Sequence, residues 1–282
     1  MQKNDIEKII LNFLKEAGEI SSEYQKSIDN SKSYFKTDGI YSIVTEADEK
    51  ISNLFDKTLK ENIKGINYVI IDEEKLKNLG EDRFKTIDES EYQFVIDPID
   101  GTLTYSLSMP LYGISVGVMK DKKPYMGFIY CPYMKEIAYY NGHESYWIKH
   151  AFTEKETKEV LVRNDKAKII FDSRFSRQFA NKDFMKLKGD IFMNFYSAVV
   201  HLLYIVTNKA KGYYFSLSLW DIAGAWPILN HLGYKIYNAQ SEEVLTEFSE
   251  KNFDDELLLK GPYLVCLEEE FDYLKGLVKT GL

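Results

Sequence analysis

Asp97 and Asp100 stand three positions apart at the end of an apolar run, Tyr92-Gln93-Phe94-Val95-Ile96, with Pro98 and Ile99 between them and Gly101-Thr102 behind. The run reads as a buried strand. The acids then lie where a strand gives way to loop, a usual seat of catalytic groups. A compact set of hard oxygen ligands suits Mg2+, which takes few ligands from the protein itself. A type I turn with Pro98 at its first central position is the plainer reading. That turn leaves unexplained why a hydrophobic strand ends in two acids.

Three more acidic places sit at the border of an apolar element: Asp48, the pair Glu73-Glu74, and Asp221. Each has an ordinary explanation. Asp48 closes a capping box with Thr45, Glu73-Glu74 is a solvated turn, and Asp221 is an acid favoured in the first turn of a helix. Brought together without a cation, such carboxylates repel and some keep their protons. With divalent ions the same set becomes stable.

The elements that must position these groups are legible as periodic patterns. Ile6, Ile9, Ile10, Phe13, Leu14, Ala17 and Ile20 follow helical spacing, and Ile51, Leu54, Phe55 and Leu59 mark a second amphipathic helix after Thr45. Tyr68 to Ile71 reads as a short strand running into Asp72-Glu73-Glu74, and Leu76 to Glu91 as a charged, irregular surface excursion. Tyr112 to Met119 and Tyr125 to Cys131 form a hairpin, extended by Ile137–Tyr140 and Tyr146–Ile148 around the turn at Asn141-Gly142. Asp38-Gly39 marks a loop. Ala167 to Phe171 predicts a strand and Lys182 to Leu187 a helix. Ser197 caps a helix carrying Val199, Leu202, Leu203 and Val206. Tyr213 to Leu219 is strand-like and leads into a helix start at Trp220-Asp221-Ile222-Ala223-Gly224, which Pro227 should kink or end. Helices alternate with strands and hairpins, so the class is α+β or α/β with mixed sheets. The polar stretch from Ala151 to Val160 divides the chain into an α+β part, 1–151, and an α/β part, 152–282.

Composition excludes several classes. The 282 residues carry a net charge of −8, which argues against a surface that coats nucleic acid. An anionic small molecule remains compatible, because a metal can supply the local positive charge. Cys131 and Cys266 are too few for a disulfide scaffold, the N-terminus runs straight into an amphipathic pattern, and no apolar run reaches spanning length. The expectation is a cytoplasmic protein that does not enter the membrane. The 21 Tyr and 17 Phe reflect an AT-rich coding bias. His143, His150, His201 and His231 show no metal-ligand spacing and are read as structural or surface residues.

Taken together, Val44-Thr45-Glu46-Ala47-Asp48, Glu73-Glu74, Asp97-Pro98-Ile99-Asp100-Gly101-Thr102 and Trp220-Asp221-Ile222-Ala223-Gly224 resemble, in order and rough separation, the motifs of the inositol monophosphatase family. The resemblance spans most of the chain. It implies a layered α-β-α-β-α sandwich of the inositol monophosphatase and fructose-1,6-bisphosphatase type, homodimer formation, lithium sensitivity and two or three Mg2+. By the same resemblance one ion is held by Glu73, Asp97 and the Ile99 carbonyl, and a second by Asp97, Asp100 and Asp221. A third joins Glu73 through water. The nucleophile is then metal-activated water, with Thr102 and Asp48 as the proton-accepting pair and Glu73 alongside. Gly101, Thr102, Ser197, Ala198 and Asp221 are implied substrate contacts.

Departures from the family pattern fall on recognition. Asp72 stands where the family has Gly, and Tyr196 where it carries Gly before Ser/Thr-Ala. The basic residue a few positions earlier is missing from Met193-Asn194-Phe195, and the inositol-binding Glu has no counterpart in Tyr213–Leu219. The expected substrate is a small phosphorylated metabolite, of inositol monophosphate type. Alternatives are a 3′(2′),5′-bisphosphate nucleotide, fructose 1,6-bisphosphate or histidinol phosphate. A non-enzymatic alternative is a binding protein of the transcription machinery.

Overall fold

A computed structural model describes residues 3–27, 34–36, 42–44, 46–80, 82–164, 166–173 and 190–279. The expectations for Asp38-Gly39, Thr45 and the 182–187 helix lie outside these residues. The chain begins with α1 (Lys3–Ser27), β1 (Tyr34–Lys36), β2 (Ser42–Val44) and α2 (Glu46–Asn62). β3 (Tyr68–Asp72), α3 (Arg83–Asp88), β4 (Tyr92–Asp100) and α4 (Thr102–Ser106) follow. Then come β5 (Gly113–Lys120), β6 (Lys123–Cys131), β7 (Glu136–Tyr140), β8 (Ser145–Lys149) and β9 (Thr157–Val160). The later elements are β10 (Ile169–Asp172), β11 (Ile191–Met193), α5 (Ala198–Val206), β12 (Ala210–Phe215), α6 (Leu219–Ala223), α7 (Trp226–His231), β13 (Tyr234–Asn238), β14 (Tyr263–Leu267) and α8 (Phe271–Lys279).

Two mixed sheets carry the fold. The first runs β3-β4-β5-β6-β7-β8-β9, with only β3 and β4 parallel. The second runs β11-β10-β12-β14-β13, with β11, β10 and β12 parallel and the rest antiparallel. β1 and β2 pair separately.

Alternation along the strands builds the layers, because successive side chains leave opposite faces. Phe94 and Ile96 of β4 join the cluster under α1 and α2, where Phe13 and Phe55 bring ring centroids to 4.9 Å. Val95 points the other way, into the core shared with α5, α6 and α7. On β14, Val265 faces that central core, whereas Leu264 and Cys266 meet Phe271 and Leu274 of α8. Both sheets are thus buried on two faces, and the order is α-β-α-β-α. Such strands read as continuous apolar runs.

Several local expectations are revised. Leu76 to Glu91 is not an irregular excursion: Glu73–Leu79 forms a 3-10 turn and α3 follows. Leu79, Phe84 and Ile87 are buried there, too sparse a set to announce a period. β4 continues through both acids instead of stopping before them. The 151–160 stretch contributes β9, which pairs with β8, so the passage between sheets follows Val160. Pro227 lies in the first turn of α7, where its missing N–H costs nothing.

Candidate active site

The bulge in β4 is what brings Asp97 and Asp100 to one side. Asp97 pairs with Ser115 and Asp100 with Gly113, so three steps along β4 oppose two along β5. In a regular strand, residues three apart face opposite ways; one extra residue returns them to the same side. Pro98, which has no N–H to donate, occupies the bulge at no loss to the ladder. Gly101 then takes φ +86 to start α4, and a Cβ there would lie 2.9 Å from both the Leu111 carbonyl oxygen and the Ser197 Cβ.

Asp221 arrives from the other half on α6, where Ser218 N donates to its Oδ2 at 2.7 Å. Its helix sits unusually close to the first sheet. Added Cβ atoms at Gly117, Gly127 and Gly224 would meet backbone atoms at 2.7, 2.2 and 2.5 Å respectively. Ser115 Oγ fastens the approach, donating to the Trp220 carbonyl at 2.8 Å and accepting from Gly224 N at 3.2 Å. Of these four residues the sequence reading named only Gly224, as the end of the Trp220–Gly224 motif; the small residues at 113, 115, 117 and 127 inside strands are the signal for the others.

Ligand oxygens of Asp97, Asp100 and Asp221 all lie within 4.8 Å of one another. Glu73, half-buried at the start of the 3-10 turn, joins them. Burial pushes its carboxyl well above the usual range, and the charges of Asp221, Asp48 and Glu74 add to this. Asp97 is pushed up strongly by burial first, then by Glu73, Asp100, Asp221 and Asp48. Asp48, on the first turn of α2, is therefore part of the same field, and it is buried. Burial raises Asp221 to about 7, with Asp100 adding to the effect. Asp100 rises to about 6 from burial, moderated by Ser197 Oγ and the Val199 and Ala198 N–H groups.

These donors settle the surroundings of Asp100. Ser197 Oγ and Val199 N donate to Oδ2, and Ala198 N donates to Oδ1 at 3.0 Å. Ser197 also caps α5, accepting from Val200 N at 3.1 Å. Ser197 and Ala198, expected against substrate, thus direct these donors at Asp100. Thr102 Oγ donates to the Ile99 carbonyl over a long 3.4 Å. Asp72 accepts from Ser52 Oγ and Glu74 N.

Around this centre the recognition residues differ from the family pattern. Tyr196 is half-exposed at φ +57, a left-handed conformation that a bulky residue rarely adopts. The segment after β12 holds Ser216, Leu217 and Ser218 and no acid. His201 is structural: its Nε2 accepts from Phe195 N at 2.7 Å, and burial pushes its pKa down to about 3, so it stays neutral.

The donor set fits a hard divalent cation. Asp97 Oδ1 is buried and has no hydrogen-bond partner among the described residues. A buried acceptor left bare inside a cluster of like charges is costly unless a cation completes it. All-oxygen ligation by carboxylates is the chemistry Mg2+ and Ca2+ accept.

The pattern defining the inositol monophosphatase family matches residues 2–268. A curated relative, the fructose-1,6-bisphosphatase/inositol-1-monophosphatase of Aquifex aeolicus, is 26% identical over 197 residues, covering 63% of this chain and 68% of its own. An IMPase from Thermotoga maritima superposes with a TM-score of 0.71 at 16% identity, covering 98% of each chain. An IMPase/NADP phosphatase complexed with Mg2+ and phosphate superposes with a TM-score of 0.69 at 14% identity, covering 98% of this chain and 95% of the other. With the fold, the ordered motifs and the family pattern agreeing, the chain belongs to the inositol monophosphatase family and is a phosphoric monoester hydrolase.

Proposed function

We propose that the chain hydrolyses the phosphate ester of a small metabolite, of inositol monophosphate type, with two or three Mg2+ held by Glu73, Asp97, the Ile99 carbonyl, Asp100 and Asp221. The observation that carries this reading is the convergence of buried acids around a bare Asp97 Oδ1. Bound Mg2+ supplies the charge that lets these acids ionise together, neutralises the phosphate and lowers the pKa of water.

The chain's own groups supply the rest. Thr102 Oγ and Asp48 orient the attacking water and take its proton, with Glu73 beside them. The N–H groups of Gly101 and Thr102 hold phosphate oxygens, and the αL glycine lets the backbone approach the ligand. Ser197 and Ala198 border the same space through their hold on Asp100. Charge spreads over the phosphoryl oxygens as the P–O bond breaks, so fixed donors and cations matter more than a covalent nucleophile.

The lack of an acid after β12 and the presence of Tyr196 leave the leaving group open among inositol monophosphate, a bisphosphate nucleotide, fructose 1,6-bisphosphate and histidinol phosphate. A homodimeric state, lithium inhibition and a cytoplasmic location belong to the same proposal. Among the described residues no helix is long and apolar enough to cross a membrane. A phosphate-release screen over these esters, with Mg2+ and with EDTA, is the test. Mg2+-dependent release from one or several is expected; release from none of them overturns the reading.

A further inference from the structure

Asp72, the residue that departs from the family's glycine, joins the two elements carrying Glu73 and Asp48. Its Oδ2 accepts from Ser52 Oγ at 2.6 Å, and its Oδ1 accepts from Glu74 N at 3.0 Å. The second bond caps the 3-10 turn on which Glu73 is the first residue. The first bond reaches α2, where Ser52 lies one turn beyond Asp48, so the two share a helix face. Asp48, Ser52 and Asp72 are all buried.

We propose that Asp72 is a positioning residue for the metal centre: it clamps α2 to the Glu73 turn and so sets the placement of Glu73 relative to Asp48. The inference rests on the hydrolase reading above and goes beyond it, because it gives a role to an acid that holds neither substrate nor ion. A glycine at this position could neither cap the turn nor reach Ser52. Lys75, one turn onward, lies 3.9 Å from Asp72 and 3.2 Å from Asp56 of α2, a second link between the same two elements. A carboxylate held at both oxygens, by the buried Ser52 hydroxyl and the half-buried Glu74 N–H, is a rigid strut, and residues that orient metal ligands typically govern affinity by roughly 10–100-fold.

Ser52→Ala, Asp72→Ala and Asp72→Asn separate positioning from plain stability. Mg2+ binding to each purified variant is measured by calorimetry, and kcat and KM are measured at saturating Mg2+. Ser52→Ala and Asp72→Ala are expected to weaken Mg2+ binding roughly tenfold, with KM for the ester unchanged once Mg2+ saturates. Asp72→Asn, whose amide oxygen can still accept, should recover most of the affinity. Should Asp72→Ala fail to fold, Ser52→Ala carries the test, since it removes one hydroxyl only. Wild-type Mg2+ affinity in folded Ser52→Ala overturns the inference alone. A wild-type chain that neither binds Mg2+ nor releases phosphate overturns the hydrolase reading and the inference with it.

Discussion

The backbone N–H of Val199 donates to Asp100 Oδ2 at 2.7 Å, tying a helix of the second half to an acid of the first. Ser197 Oγ and Ala198 N grip the same carboxylate. Asp100 thus satisfies the open N-terminus of α5 while standing in the acidic cluster. The site is assembled by the same bonds that dock the two sheets.

The close seating of α6 makes a packing test. Gly224→Ala would place a Cβ 2.5 Å from the Phe128 carbonyl oxygen and 3.0 Å from Val116 N, both backbone atoms that cannot swing aside. Overpacking of this kind costs about 1–3 kcal/mol. Because α6 carries Asp221, activity should fall further than stability. Urea unfolding and phosphate release on the same preparation measure both; an unchanged kcat would mean the seating of the helix is irrelevant to the centre.

Tyr196 offers the opposite sign. A non-glycine residue in the left-handed region costs roughly 1–2 kcal/mol, and this ring is half-exposed, so little packing is lost on its removal. Tyr196→Gly is expected to raise the urea midpoint, by up to about 1 kcal/mol in stability. A lowered midpoint would show that the ring makes a stabilising contact.

Proton linkage gives a third expectation. Burial raises Asp100 to about 6 and Asp221 to about 7, against roughly 4 for an unfolded carboxyl. Between those values the metal-free folded chain holds protons that the unfolded chain has released. These groups therefore lower stability as pH rises through about 4 to 7. Mg2+ held by these acids would take their ionised forms and so compete with their protons. The melting temperature gained on replacing EDTA by Mg2+ should then grow from about pH 5 to about pH 8. A gain that shrinks over that range contradicts the assignment.

Much of the site was legible because its acids stand at borders between apolar and polar sequence. Position at those borders singled out Asp97, Asp100, Glu73 and Asp221, and the resemblance of the ordered motifs to the inositol monophosphatase family grouped them into one site. The bulge that turns Asp100 to the side of Asp97 was not legible, since strand pairing depends on β5, a partner the local sequence does not name. Nor was the role of Asp72, whose meaning depends on Ser52, twenty residues earlier on another element. Helices such as α3 escaped notice because burial against Phe248, distant in sequence, replaces a visible period: Phe84 stacks on that ring at 5.3 Å.

Calorimetric titration of Mg2+ into the wild-type chain and into Asp97→Asn tests the central claim most directly. The substitution puts a neutral amide where burial and neighbouring acids disfavour an ionised carboxyl, so the metal-free variant should be at least as stable as wild type. Wild type is predicted to bind Mg2+, and Asp97→Asn to bind it at least roughly tenfold more weakly while its circular dichroism stays native. Equal Mg2+ affinity in the two proteins would contradict a metal centre built on Asp97.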